Sequence, residues 1–139
     1  MNMDIKEYLS QAYRIDQRIN SKLEQVMSLR ALLGKATGTL TGAPKAATPN
    51  PHSMEVTICK MVDMENEIND DIDTLVDLKA EIIQQIKRIE NPEYQTLLEL
   101  RYLCFKRWEE IVVDMGYSLR RLYELHNLAL EQISFKSPH

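Results

Sequence analysis

The residues of this chain with the most informative chemistry lie near its C-terminus. If the chain is helical from Leu119 onward, its outer face carries Leu119, Arg120, Tyr123, Glu124 and Asn127, with Arg121 near the edge of that face. Guanidinium groups donate hydrogen bonds to phosphate oxygens and to the edge of guanine, and an asparagine amide can reach a phosphate. Lys106 and Arg107 precede the expected start of the helix before it, where two further cations suit phosphate contacts.

A sharp turn between two short helices is predicted to position this face. Trp108–Met115 reads as the first helix, and the second runs from Leu119 to about Ser134. Gly116 between them accepts a positive φ without steric cost, and Ser118 can cap the second helix. The two helices would close a small core, formed by Ile111, Met115, Leu122, Leu125 and, one turn later, Ala129. These features predict a helix-turn-helix.

A third helix is predicted just before this motif. Asn91 is a suitable N-cap, Pro92 suits the first helical position, and Glu93 suits the positive end of the helix. The helix is expected to run from Pro92 to about Leu103, with Cys104–Arg107 as a short connector.

The segment from about residue 94 to 133 resembles region 4 of bacterial sigma factors and the phage late-gene activators of the RinA/ArpU type. The shared motifs are a Leu-x-Leu-Arg-Tyr helix, a Glu-Glu-Ile helix, a Gly-x-Ser turn and a late Ala-Leu pair, here Leu98–Tyr102, Glu109–Ile111, Gly116–Ser118 and Ala129–Leu130. The resemblance implies a module that binds a promoter through its last helix and also contacts RNA polymerase.

Two long helices are predicted upstream of this module. Residues 4–33 and 54–90 both carry apolar residues every seven positions, as in Ile5–Leu33 and in Met61–Ile89; Ile58, Ile72 and Ile86 form a second seam. Gly34 is expected to end the first helix, Ser53 to cap the second, and residues 34–53 to form a flexible linker. We expect an all-α chain, with a coiled-coil-like antiparallel hairpin over 1–90 and a three-helix helix-turn-helix module over 91–139. The wide apolar stripe suits pairing with a second copy.

Several residues have a purely structural alternative. Arg120 and Arg121 could be surface arginines paired with Glu124, and Tyr123 could pack on the hairpin. Trp108 is expected in the core. His126 lacks a partner at metal-ligand spacing, which leaves a contact with the nucleic-acid backbone as its functional interpretation.

Composition excludes several classes of protein. No apolar run approaches the roughly 18 residues that a membrane span needs, and the N-terminus does not resemble a signal peptide. Cys59 and Cys104 lack metal or redox spacing, so we expect buried or half-buried thiols in a reducing cytoplasm. The chain also lacks a phosphate-binding glycine loop, a nucleophile–histidine pair and a paired acid in a polar pocket, so we expect no enzyme, no cofactor and no metal.

The net charge of −4 is unevenly distributed. Residues 54–90 carry ten acidic and four basic residues, whereas residues 91–139 carry seven acidic and six basic ones. Any contact with DNA must therefore come from a local patch, and one copy alone would bind weakly.

Three functions are consistent with these patterns. The first is a cytoplasmic phage or prophage transcription regulator that binds double-stranded DNA and contacts RNA polymerase, with a hairpin that either forms a dimer or positions the DNA-binding module. The second is a small terminase subunit for DNA packaging, although such proteins usually carry the DNA-binding module first. The third is a helical protein-interaction module without DNA binding.

Overall fold

The described residues, 4–38 and 51–133 of this computed structural model, form α-helices and one π-helical turn and include no strand. In chain order these are α1 (Ile5–Gly38), α2 (Pro51–Lys87), α3 (Pro92–Leu98), the π turn (Glu99–Leu103), α4 (Trp108–Met115) and α5 (Leu119–Gln132). α1 and α2 pack against each other as a hairpin, and the shorter helices follow as a module. The predicted fold class is confirmed.

The inner ends of the hairpin helices differ from the prediction. α1 does not end at Gly34 but continues to Gly38, because a glycine inside a helix costs only about 1 kcal/mol relative to alanine. α2 begins at Pro51, a residue type that suits a first helical position, so Ser53 lies inside the helix and is not its cap. The predicted linker is thus partly helical, and its residues 39–50 lie outside the described residues.

Contacts divide the chain into two compact units. One consists of the chain up to Ile15 together with the chain from Thr74 onward, and the other is Asp16–Asp73. The domain boundary predicted between residues 90 and 91 lies in the connection between α2 and α3 and stays a prediction.

The unit Asp16–Asp73 has a narrow core. One of the predicted heptad seams is buried in each helix, with Ile19 and Val26 from α1 and Met61 and Ile68 from α2. The second predicted seam of α2 is exposed in this unit, since Ile58 and Ile72 both face solvent. A two-helix hairpin covers little more than one seam, because each helix has a single neighbour.

The other unit has a larger core that joins the hairpin end to the module. Its buried side chains from α1, α2 and the module include Leu9, Ala12, Leu75, Ile82, Ile86, Ile89, Leu97, Leu98 and Tyr102. The side-chain amide of Gln95 donates to the carbonyl of Ile89 at 2.6 Å, which ties α3 to the chain just after α2. The module and the adjoining ends of α1 and α2 therefore share one core.

The helix that begins at Pro92 starts and ends where the sequence predicts, but its last turn has a different geometry. Asn91 caps α3 through hydrogen bonds from the backbone N–H groups of Glu93 and Tyr94. The predicted extent to Leu103 is confirmed, but the last turn is not α-helical: α3 widens into the π turn, in which the Cys104 N–H donates to the Glu99 carbonyl at 2.9 Å. Phe105 then adopts a left-handed conformation with φ 58°, which stops the helix.

Candidate nucleic-acid interface

The turn between α4 and α5 has the geometry predicted for a helix-turn-helix. Gly116 adopts φ 75°, and its N–H donates to the Val112 carbonyl at 2.9 Å. The Ser118 hydroxyl accepts from the Arg121 backbone N–H at 3.1 Å and so caps α5. The expected roles of Gly116 and Ser118 are confirmed. Ser118 also stays among the predicted DNA contacts, although its hydroxyl is engaged at the helix start.

A small buried core fixes the rotation of α5. Leu122 and Leu125 of α5 pack with Leu97 and Ile111, all fully or almost fully buried. Half-buried neighbours pack around them, namely Tyr94, Leu100, Trp108, Val112, Met115 and Tyr117. Ala129 is buried one turn later. Since these positions lie on one side of α5, the opposite side must face solvent.

That opposite side carries the predicted contact residues. All of the outward positions expected from the sequence are exposed, namely Leu119, Arg120, Arg121, Tyr123, Glu124 and Asn127. The Arg120 side chain is 92% exposed. This set of residues is called the α5 face below. Its exposure makes it accessible to a macromolecule, and its role in binding stays a prediction.

Glu124 pairs with both arginines of the α5 face. Its carboxylate oxygens lie 3.9 Å from Arg120 Nε and 3.3 Å from Arg121 Nη1. These contacts are the surface ion pairs that the sequence analysis gave as the purely structural alternative for Arg120 and Arg121. Exposed pairs of this kind contribute little to stability, so the guanidinium groups can exchange the carboxylate for a phosphate at small cost.

Trp108 connects the α5 face to the start of α4. The Tyr123 ring meets the Trp108 ring edge-on at 5.0 Å between centroids, so Tyr123 packs on α4 and not on the hairpin. The Arg101 guanidinium lies 4.9 Å from the Trp108 ring centroid and also donates to the Lys106 carbonyl at 3.0 Å. From the sequence, Arg101 was noted only as part of the Leu-x-Leu-Arg-Tyr motif. The available signal for its contact with Trp108 was an arginine close in sequence to the single tryptophan.

His126 is buried and not a contact with the nucleic-acid backbone. Its Nε2 lies 2.6 Å from the Tyr102 hydroxyl oxygen, and its ring packs edge-on against Trp108. Burial lowers the pKa of His126 to about 4, with Lys6 and Arg101 adding a smaller effect in the same direction. Burial likewise raises the pKa of Tyr102 to about 12. At neutral pH the two groups form a hydrogen bond between an uncharged imidazole and an uncharged phenol.

Lys106 and Arg107 lie at the N-terminus of α4, each beside an acidic residue. Lys106 Nζ is 2.5 Å from Asp114 Oδ2, and this hydrogen bond raises the lysine pKa. Arg107 Nε is 3.8 Å from Glu110 Oε1, which also accepts from the Arg107 backbone N–H at 2.9 Å and so takes part in the helix start. Both cations reach the surface, but their charge is partly neutralised. The structure brings Arg120, Arg121 and Glu124 together and gives Lys106 and Arg107 separate acidic partners.

Other predicted sites can be compared with the part of the chain that the structure describes. Cys59 and Cys104 are both exposed, so the expectation of buried or half-buried thiols is wrong. Within residues 4–38 and 51–133, no three His, Cys, Asp or Glu residues are grouped closely enough to hold a metal ion. No helix in those ranges combines the length and apolarity that crossing a bilayer requires.

The fold and this geometry define an all-α protein in which a helical hairpin precedes a helical module with a sharp glycine turn between its last two helices. A family profile matches residues 53–134, from the start of α2 to the end of the module, and its description reads "Protein of unknown function (DUF1492)". The match covers more than half of the chain, so the chain belongs to this family. No curated protein and no solved structure is significantly similar to it. The resemblance to sigma-factor region 4 stays a prediction.

Proposed function

We propose that this chain is a sequence-specific DNA-binding transcription regulator of the phage or prophage type. The observation that supports this is the α5 face: its residues are exposed together because Leu122 and Leu125 are buried on the other side of the helix. In helix-turn-helix proteins, the second helix enters the major groove and its early residues contact base edges. Arg120 and Arg121 occupy those early positions.

The side chains of the α5 face suit distinct contacts. Arg120 and Arg121 would donate to phosphate oxygens or to a guanine edge after leaving Glu124. Glu124 could then accept from the amino group of cytosine. Asn127 lies one turn further along α5 and would reach a phosphate.

Cations beyond α5 would add phosphate contacts. Lys106 and Arg107 lie at the N-terminus of α4, where backbone N–H groups and the helix dipole also favour an anion. Their acidic neighbours, Asp114 and Glu110, weaken this attraction. One copy therefore offers few unopposed positive charges, and two copies on adjacent half-sites would bind far better than one.

The hairpin and the sigma-like motifs suggest two protein partners. A second copy would pair through the hairpin and set the spacing of the two α5 faces. RNA polymerase is the other partner, as the resemblance of Leu98–Tyr102 to sigma region 4 implies.

A protein-interaction module without DNA binding is the second candidate. The observation that favours it is that both arginines of the α5 face are paired with Glu124. In that case the face would recognise a protein surface, and removing the arginines would leave DNA retention unchanged.

The test is retention of genomic DNA fragments from the source genome by the purified full chain at two salt concentrations. An Arg120→Ala/Arg121→Ala variant is compared with Arg14→Ala/Arg88→Ala, which removes the same charge from exposed arginines elsewhere. We expect the wild type and the control to retain one fragment, less strongly at high salt, and the α5 variant to lose it. If the wild type retains no fragment at low salt, the regulator proposal fails and the second candidate gains support.

A further inference from the structure

The two open sides of the hairpin within Asp16–Asp73 differ in character. On one side, Lys22 Nζ lies 2.8 Å from Asp71 Oδ2 and 3.2 Å from Glu67 Oε1. A groove of about 520 Å³ lies along the same side, lined by Gln25, Ser28, Leu29, Lys60, Asp63, Met64 and Glu67. Polar contacts between α1 and α2 therefore already occupy this side.

The opposite side carries five of the seven exposed large apolar side chains in the described part of this unit. One ion pair between the described residues of α1 and α2 lies on this side, with Arg30 Nη2 3.2 Å from Glu65 Oε2. It shows which edge of each helix faces this side. Leu23 precedes Arg30 by seven residues, and Ile58 and Ile72 flank Glu65 by seven on either side, so heptad spacing places all of them along this edge. Met27 and Val62, each three residues before a member of the ion pair, widen the edge.

This set, called the apolar strip, consists of Leu23, Met27, Ile58, Val62 and Ile72. Its members are all exposed, from 40% for Ile72 to 68% for Met27. Apolar side chains scattered singly over a surface are ordinary, whereas several of them along one edge mark a candidate interaction site. Arg30 and Glu65 lie within the row and neutralise each other.

We infer that the apolar strip is the surface through which two copies of this chain associate. A strip without net charge is complementary to itself, as a two-fold interface requires, because the same patch is used on both copies. An Arg30–Glu65 pair from each copy can also exchange partners across the interface.

The dimensions agree with a dimer. The hairpin over this unit is roughly 35 Å long and two helices, or roughly 20 Å, wide. Such a face offers roughly 700 Å² per copy, close to the roughly 800 Å² per partner of a standard stable interface. Two hairpins packed in this way would form a four-helix bundle, which buries the seam that each hairpin leaves open. This inference rests on the oligomer role proposed for the hairpin and does not require DNA binding.

The test is the mass of the full chain in solution across a concentration series, measured by sedimentation equilibrium without DNA. The Met27→Glu/Val62→Glu variant places carboxylates within the strip. A matched control, Ser21→Glu/Ser28→Glu, adds the same charge at exposed positions of α1 on the other side of the hairpin, where Ser28 lines the groove. We expect dimers for the wild type and control, and a dissociation constant raised about 100-fold or more for the strip variant, because buried unpaired charges oppose association.

Circular dichroism of each variant shows whether it remains folded. If the strip variant unfolds, a second measurement uses a Met27→Cys variant made in a Cys59→Ser/Cys104→Ser background, so that position 27 carries the single thiol. We expect this variant to form a cross-linked dimer efficiently. A monomeric wild type overturns the inference, and so does a dimer that the strip substitutions leave intact. Failure of DNA retention with an intact, strip-dependent dimer would contradict the proposed function alone.

Discussion

Replacing His126 with glutamine should remove most of the acid sensitivity of the module. His126 is 5% exposed, and burial lowers its pKa to about 4, below the ordinary value of 6.5. Between those two values the unfolded chain binds a proton that the folded chain does not. The free energy of unfolding is therefore unaffected by this group above about pH 6.5, and it falls as the pH is lowered from 6.5 towards 4.

The expected magnitude follows from the shift. One pKa unit corresponds to about 1.4 kcal/mol, so the full difference amounts to about 3 kcal/mol, and about 2 kcal/mol should already be lost between pH 7 and pH 5. Because His126 contacts Tyr102 and Trp108, protonation would place a charge inside the contact between the π turn, α4 and α5.

The assay is urea denaturation of the wild type and His126→Gln at pH 7 and pH 5. Glutamine has a similar volume, is uncharged at both values and leaves every carboxylate in place, so the carboxylates contribute equally to both proteins. The wild type should lose about 2 kcal/mol more than the variant over this interval. Equal losses in the two proteins would refute the assignment of His126 as a buried neutral imidazole.

Further substitutions test the turn, the cap and the charge of the α5 face. Gly116→Ala should lower the free energy of unfolding by about 1–2 kcal/mol, because its φ of 75° strains any side chain although nothing lies within 4 Å. Gly34→Ala, inside α1, should instead raise the free energy of unfolding by up to about 1 kcal/mol. If urea denaturation shows that both glycine substitutions change this free energy in the same direction, the assignment of the two backbone conformations is contradicted. Ser118→Ala should cost about 1 kcal/mol by removing the cap of α5, and an unchanged midpoint would contradict that role. Glu124→Gln should strengthen binding to unrelated DNA about three- to tenfold in fluorescence anisotropy, since both arginines lose their partner; weaker binding would oppose the proposed face.

The elements with regular sequence signals could be predicted well. The seam of Met61, Ile68, Leu75 and Ile82 is buried throughout, because seven-residue spacing keeps these side chains on one edge of α2. Ile89, the last member of the predicted seam, is also buried, although α2 ends at Lys87. The turn between α4 and α5 was also predictable, since it depends on local residue types such as glycine at positive φ.

Features that depend on tertiary contacts could not be predicted in the same way. The π turn is followed by Phe105, whose ring packs against Tyr13 at 5.6 Å between centroids and lies 4.7 Å from the Lys79 ammonium, measured to the ring centroid. These contacts stabilise a left-handed backbone that sequence propensity disfavours. The contact of His126 with the Tyr102 hydroxyl is another such feature, because helical spacing alone does not reveal which side chain of another helix lies beside the imidazole.

The candidate site was predictable in part. The burial of Leu122 and Leu125 indicated which side of α5 faces solvent, and that side is exposed as expected. The ion pairs of Glu124 with the arginines follow from spacings of three and four residues, whereas the contact of Arg101 with Trp108 depends on the path of the chain after the π turn.

The central claim is that the α5 face binds DNA, and its most direct test is the salt dependence of the affinity for the retained fragment. The logarithm of the binding constant is measured against the logarithm of salt concentration for the wild type, Arg120→Ala/Arg121→Ala and the Arg14→Ala/Arg88→Ala control. If both arginines contact phosphates, the slope of the α5 variant should be smaller than that of the wild type by about 2 per copy, with the control unchanged. Identical slopes and affinities for all three proteins would contradict the claim.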